Sequence, residues 1–336
     1  MKKILITGGT GCIGSVTVCK LLRQYQEIEK IVIATRSDNA KPLQLWLGEN
    51  LDPRIEFVTL DISDFEAVRK YVPEISPTHI IHLGGLQSPD CSERHLKGME
   101  INVGGTVVLL DAAEKLPNLE RFVFASSGAV YGKRIQYPDS VIKEDVRLTP
   151  PNHYGIWKLA GEHLARLFHD NTGVPTVCLR LNTTYGPGRD KGMTAAPTAA
   201  MKAVALGAFG QKTVPFSMPY SGLENYHYVE DVGEHFAACS MLPFDGYGEF
   251  NIKGKTVEVK DFLRITEQEA ARLGWEKFTD ISIAADAKPN MFSYDLCHDK
   301  IDGAFDGLPL TDIREGVRKS LMSFHRMAAD KSLVSI

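Results

Sequence analysis

Tyr154 and Lys158 stand four residues apart in YGIWKLAGEHLARLF, a stretch with helical periodicity. Both side chains therefore fall on one helix face and can meet at a single site. A phenol with a pKa of about 10 is a poor general base, but a neighbouring lysine cation favours the phenolate and lowers that value. Together the two can exchange a proton with an alcohol or a carbonyl near neutral pH. In isolation such a pair is an ordinary surface neighbour pair, and its place in the chain gives it meaning. Upstream, FASSGAVYG puts Ser126 and Ser127 at the carboxyl end of an expected strand. Open α/β sheets bind ligands at that edge, and a serine there can hydrogen-bond a reacting oxygen.

These residues need a scaffold, and the chain's start supplies the first part of it. TGGTGCIG, residues 7–14, follows the apolar run Ile4-Leu5-Ile6 and opens a stretch, 12–25, whose Ile13, Val16, Val18, Leu21 and Leu22 suit a buried helix. Gly8, Gly11 and Gly14 let a backbone turn tightly from strand into helix while leaving room for a pyrophosphate at the helix N-terminus. A dinucleotide site follows. Further strand-like runs at 31–35, 55–60, 80–83, 122–126 and 176–181 are continuously apolar rather than alternating. That pattern predicts strands covered on both faces, in an α/β fold with a doubly wound parallel Rossmann sheet.

After Leu181 the texture changes. TTYGPGRDKGMTAAP and FGQKTVPFSMPYSG are rich in glycine, proline and small polar residues and read as long functional loops. Residues 248–252 read as a further strand and 311–328 as a terminal helix. The expected organisation is a Rossmann domain over 1–181, completed by about 226–262, and a smaller C-terminal substrate-binding domain over 182–225 and 263–336.

The 336 residues are 43% apolar, with a formal net charge of −4 and dispersed basic side chains, which gives no footing for nucleic acid or an anionic membrane. Thr7 and the glycines interrupt the first apolar run too early for a secretory signal, so it reads as the first strand of a mature cytoplasmic protein. Six scattered cysteines fit reduced core residues better than disulfides or a metal site, and no metal is expected.

TGGTGCIG, LDISD, IHLGGLQ, INVGGT, FASSGAVYG, YGIWK, LRLNTTYGPG and YVEDV occur in that order over nearly the whole chain. In these motifs the chain resembles the extended short-chain dehydrogenase/reductase family, NAD(P)-dependent epimerase/dehydratase type. The resemblance implies that Tyr154 is the catalytic acid/base, that Lys158 tunes it and binds the nicotinamide ribose, and that Ser127 polarises the substrate oxygen. It implies that Gly8, Gly11, Cys12, Ile13 and Gly14 hold the cofactor's phosphates, that Asp61 and Ile62 flank the adenine, and that Leu83 and Gly84 line the cofactor channel. Asn102 would hold neighbouring backbone, and His82 and His153 would be structural. A homodimer built from residues 93–115 and the Tyr154 helix is also implied.

An acidic residue at the end of the second strand would bond the ribose hydroxyls and repel a 2′-phosphate. This chain offers Arg36, which either grips that phosphate or is an exposed loop cation, so NADP is favoured and NAD stays open. Epimerases of nucleotide-diphosphate sugars commonly carry asparagine and arginine where Thr183 and Glu224 stand, and an acidic side chain would repel a diphosphate. Dehydratases carry an acidic pair where Gly128 and Ala129 stand. Arg189 and Lys191 either face the cleft, where they attract a carboxylate or phosphate, or are solvated loop charges. Gln87, Ser88 and Asn182 are further candidate substrate contacts beside Ser127.

The expected activity is interconversion of a secondary alcohol and a ketone on a small polyhydroxylated, sugar or sugar-acid-like substrate. An epimerase working through a transient keto intermediate is the alternative. A dinucleotide-sensing protein without turnover is disfavoured by the intact serine, tyrosine and lysine.

Overall fold

A computed structural model describes residues 1–36, 39–87 and 90–330, without the side chains of Ser92 and Met193. The first six strands are β1 (Lys2–Thr7), β2 (Ile28–Thr35), β3 (Ile55–Thr59), β4 (His79–His82), β5 (Arg121–Ala125) and β6 (Thr176–Arg180). They are followed by β7 (Thr183–Tyr185), β8 (Phe216–Ser221), β9 (Leu223–Tyr228), β10 (Tyr247–Asn251), β11 (Lys255–Glu258) and β12 (Ile281–Pro289). Seven of these form one sheet in the order β10-β6-β5-β4-β1-β2-β3, every neighbouring pair parallel. This is a Rossmann-type α/β fold.

Continuous apolar runs are required because both faces of the sheet are covered. Ile4 and Ile6 of β1 and Ile31 and Ile33 of β2 pack on one side against Val18, Leu21 and Phe236, from the helices Cys12–Gln24 and Val229–Met241. Leu5, Val32, Ile80, Phe122 and Phe124 pack on the other, against Val108, Leu109 and Phe168. Each such side chain, removed from water, contributes about 1.5–3 kcal/mol.

A smaller layer holds the remaining strands: β11-β9-β7 in one sheet and β12-β8 in another. Helices Ala196–Gly210, Val259–Arg272 and Ile313–Ala329 cover them around Tyr185, Met201, Met218, Tyr226, Phe262 and Phe324. Of the 226–262 stretch, β10 joins the large sheet, while β9 and β11 pair with each other.

The two segments read as long loops fold in part. Thr183–Tyr185 is β-branched and aromatic and adds to β9. Ala196–Gly210 starts with Pro197 in its first turn and continues in small residues as a helix, and Phe216–Ser221 pairs with β12. Among the described residues no helix is long and apolar enough to cross a membrane, and the six cysteines form no disulfide.

Candidate active site

The strand order reverses between β1 and β4, so the connections leaving these neighbours run to opposite sides and open a crevice at their carboxyl ends. A cleft of about 1000 Å³, open solvent included, lies there. Its floor is the glycine turn. Gly8 has φ +73°, the Gly11 N–H donates to the Gly8 carbonyl at 2.9 Å, and a Cβ at Gly14 would overlap that same carbonyl. No side chain caps the helix that begins at Cys12. Its first-turn N–H groups are thus left to a ligand, and this cradle fits the pyrophosphate of a dinucleotide.

Two buried side chains hold the adjoining backbone. His82 bridges Thr7 Oγ1 (2.7 Å) and Thr106 Oγ1 (3.1 Å), and Thr7 also accepts from the Gly84 N–H at 3.1 Å. Burial, with the nearby Lys158 charge, pushes His82 down to about 3, so it is neutral and structural. Asn102 accepts from the Leu86 N–H (2.8 Å) and donates to the Leu86 carbonyl (3.0 Å), fixing the loop after β4. His153 is exposed and stacks on His95, away from the reacting groups.

Tyr154 and Lys158 lie on the helix His153–Thr172. Asn152 starts this helix by accepting from the Gly155 N–H at 2.9 Å, and Gly173, at φ +71°, ends it. Gly155 is required because any Cβ there would overlap the Ala129 carbonyl. The helix start is pressed onto the turn at 128–130, and this brings Tyr154 within hydrogen-bonding reach of Ser127. Ser127 Oγ accepts from the Ala129 N–H at 3.1 Å. Lys158 is buried, donates to the Ala125 carbonyl at 2.7 Å, and lies 5.7 Å from the centre of the Tyr154 ring.

The electrostatics revise one expectation. Burial pushes the Tyr154 phenol up to about 12, against the Arg189 charge and the Ser127 hydrogen bond. Burial also pulls the Lys158 ammonium down to about 8. Desolvation outweighs the stabilisation expected from Lys158, and the cation that works against it is Arg189. At neutral pH the phenol holds its proton.

Behind the serines runs a buried network. Ser126 donates to Glu162 Oε1 at 2.5 Å, and Arg180 grips both oxygens of Glu162 at 2.8 Å. Arg180 also donates to Tyr131 Oη (2.9 Å) and to the Glu144 carbonyl (3.0 Å).

Gln87, Asn182 and Arg189 line the cleft on its open side. Arg189 donates to Gln87 Oε1 (3.1 Å) and Thr194 Oγ1 (2.9 Å). Asn182 donates to the Ser293 carbonyl (2.7 Å), while its Oδ1 fills the space that a side chain at Gly128 would need. Lys191 is exposed and is not a cleft wall. Cys12, Ile13 and Leu83 are walls; Gly84 is fixed against Gly8, and Ile62 packs on Gly84 and Gly105. Arg36 is exposed after β2. Its charge reaches Asp61, where burial raises the carboxyl's pKa but bonds from the Ser63 N–H and hydroxyl, helped by Arg36, hold it below the ordinary value. Ser88 lies outside the described residues. Leu86, Thr194 and Phe292 also line the cleft and went unnoticed in the sequence. Phe292 comes from a segment without any motif.

The family model for the NAD dependent epimerase/dehydratase family matches residues 4–253. The chain belongs to this family. As an epimerase/dehydratase-family enzyme it is 27% identical to the dTDP-glucose 4,6-dehydratase of Salmonella typhimurium, over 95% of this chain and 91% of that one. It is 29% identical, over 70% of its length, to a trifunctional UDP-glucose 4,6-dehydratase/UDP-4-keto-6-deoxy-D-glucose 3,5-epimerase/UDP-4-keto-L-rhamnose-reductase of Arabidopsis thaliana, of which it spans about a third (34%). Among solved structures it is similar to a UDP-glucose 4-epimerase of Thermus thermophilus in complex with NAD, with TM-score 0.75 and 25% identity, covering 96% of this chain and 98% of that one. A nicotinamide dinucleotide is accordingly the cofactor class.

Proposed function

We propose that this cleft interconverts a secondary alcohol and a ketone on a small polyhydroxylated substrate, a sugar or sugar acid. The supporting observation is that Ser127, Tyr154 and Lys158 converge on the same cleft as the glycine turn. The nicotinamide, when bound, supplies or accepts the hydride. Tyr154 holds the proton that passes to or from the substrate oxygen, and Ser127 bonds both that oxygen and the phenol. Lys158, locked by the Ala125 carbonyl, orients the ring and the cofactor ribose. The glycine turn, Leu83 and Gly84 hold the dinucleotide, with Asp61 and Ile62 at its adenine. In this division of labour the large sheet serves the cofactor and the smaller layer covers the substrate.

Two features support a substrate other than those of dehydratases and nucleotide-sugar enzymes. Gly128 and Ala129 supply no acid or base for eliminating water, and Asn182 leaves no room for a side chain at Gly128. Glu224, buried and bonded to Thr183 at 2.5 Å, stands where the resemblance to nucleotide-sugar epimerases implies an arginine for the diphosphate. Without such an anchor a keto product escapes before it is reduced again. Excess oxidised cofactor should therefore be converted mole for mole with ketone formed. The fold shared with a UDP-glucose 4-epimerase supports the second reading. Accumulation of a diastereomer on retained cofactor, with no net absorbance at the reduced-nicotinamide band, would establish it.

Arg36 supports NADP over NAD. Arg36→Asp should invert the ratio of the two dissociation constants, by about tenfold or more, because attraction to a 2′-phosphate becomes repulsion. A wild type that already prefers NAD rules the assignment out. A homodimer is supported by Leu96, Met99 and Val107 on one helical segment and Ile156 and Leu167 on the Tyr154 helix, apolar side chains that are all exposed in the single chain. Light scattering should return twice the chain mass of 37.2 kDa. Cysteines that form no disulfide suit a reducing cytoplasm.

A further inference from the structure

Arg189 has no carboxylate partner among the described residues. The aspartate beside it, Asp190, is paired with Lys202. The guanidinium is held by two neutral oxygens, those of Gln87 and Thr194, and its buried Nε–H has no acceptor. A buried donor without an acceptor is costly. Arg189 lines the same cleft as Tyr154.

We propose that Arg189 is the subsite for a carboxylate on the substrate, so that the compound oxidised at Tyr154 is a hydroxy acid. This rests on the reading of the cleft as an alcohol–ketone site. A planar guanidinium offers the paired donors that a carboxylate accepts. One guanidinium in the wall of the cleft balances one carboxylate.

The test compares four- to six-carbon aldonates with the matching alditols. Wild type should favour the aldonates in kcat/KM, and Arg189→Gln should cut the aldonate-to-alditol ratio by about 30-fold or more, as loss of one partner of a charge pair implies. The subsite is overturned if wild type treats the two series alike, or if Arg189→Gln weakens the dinucleotide more than the acid. The latter would give the arginine to the cofactor's phosphates. If neither series is turned over, calorimetric titration of the dinucleotide-saturated protein with aldonates separates the two ideas. Binding that disappears in Arg189→Gln keeps the subsite and rejects the redox reading, whereas absence of binding at millimolar aldonate rejects the subsite.

Discussion

Tyr154→Phe is expected to lower kcat by about 10²–10⁴-fold, the range contributed by a positioned proton donor, while the dinucleotide dissociation constant stays within about threefold. The ring stays in place between Lys158 and the turn at 128–130, and only the oxygen that meets Ser127 is removed. Because burial holds the phenol up at about 12, the wild-type group carries its proton at neutral pH. Stopped-flow turnover and equilibrium cofactor binding read the two quantities separately. A variant with near-normal kcat would mean that another group moves the proton.

Glu162→Gln should cost about 3–5 kcal/mol of unfolding free energy, measured by denaturant titration, because it strands a buried guanidinium. Both partners are almost fully buried, Arg180 at 1% and Glu162 at 3% exposure, and the carboxylate also receives the Ser126 hydroxyl. Replacing the pair together, Glu162→Leu with Arg180→Met, should cost less than either single change, since no charge is then left uncompensated. A single-variant loss below about 1 kcal/mol would show that water reaches the pair and that it does not anchor the serine turn.

The glycine turn, the parallel strands and the Tyr154–Lys158 face were legible because each depends on local pattern. Three glycines specify a backbone path, an apolar run specifies a strand covered on both sides, and a spacing of four specifies a shared helix face. The smaller layer was harder to read. Thr183–Tyr185 is three residues long and exists as a strand because β9 lies beside it, information held some 40 positions away in the chain. The charge balance at Tyr154 was illegible for a related reason. Lys158 is near in sequence, but whether a cation lowers a phenol's pKa depends on how much water each has lost, and burial is a property of the packed molecule. Phe292 and Thr194 reach the cleft through tertiary packing alone.

The position of β10 at the edge of the large sheet bears on how the protein can be made. Its partner β6 ends at Arg180, yet β10 begins at Tyr247, after β7, β8, β9 and the helix Ala196–Gly210 of the smaller layer have been synthesised. Arg121, buried at the start of β5, gives its guanidinium to the carbonyls of Cys239, Leu242 and Phe244 in the same late stretch. During emergence from the ribosome, β6 therefore presents an open edge and Arg121 an unclaimed charge until about residue 250 is available, a span in which pairing with another chain competes with folding. The nucleotide-binding half cannot be cut free at residue 181 as a self-sufficient unit: the chain must go out and come back before that half is whole.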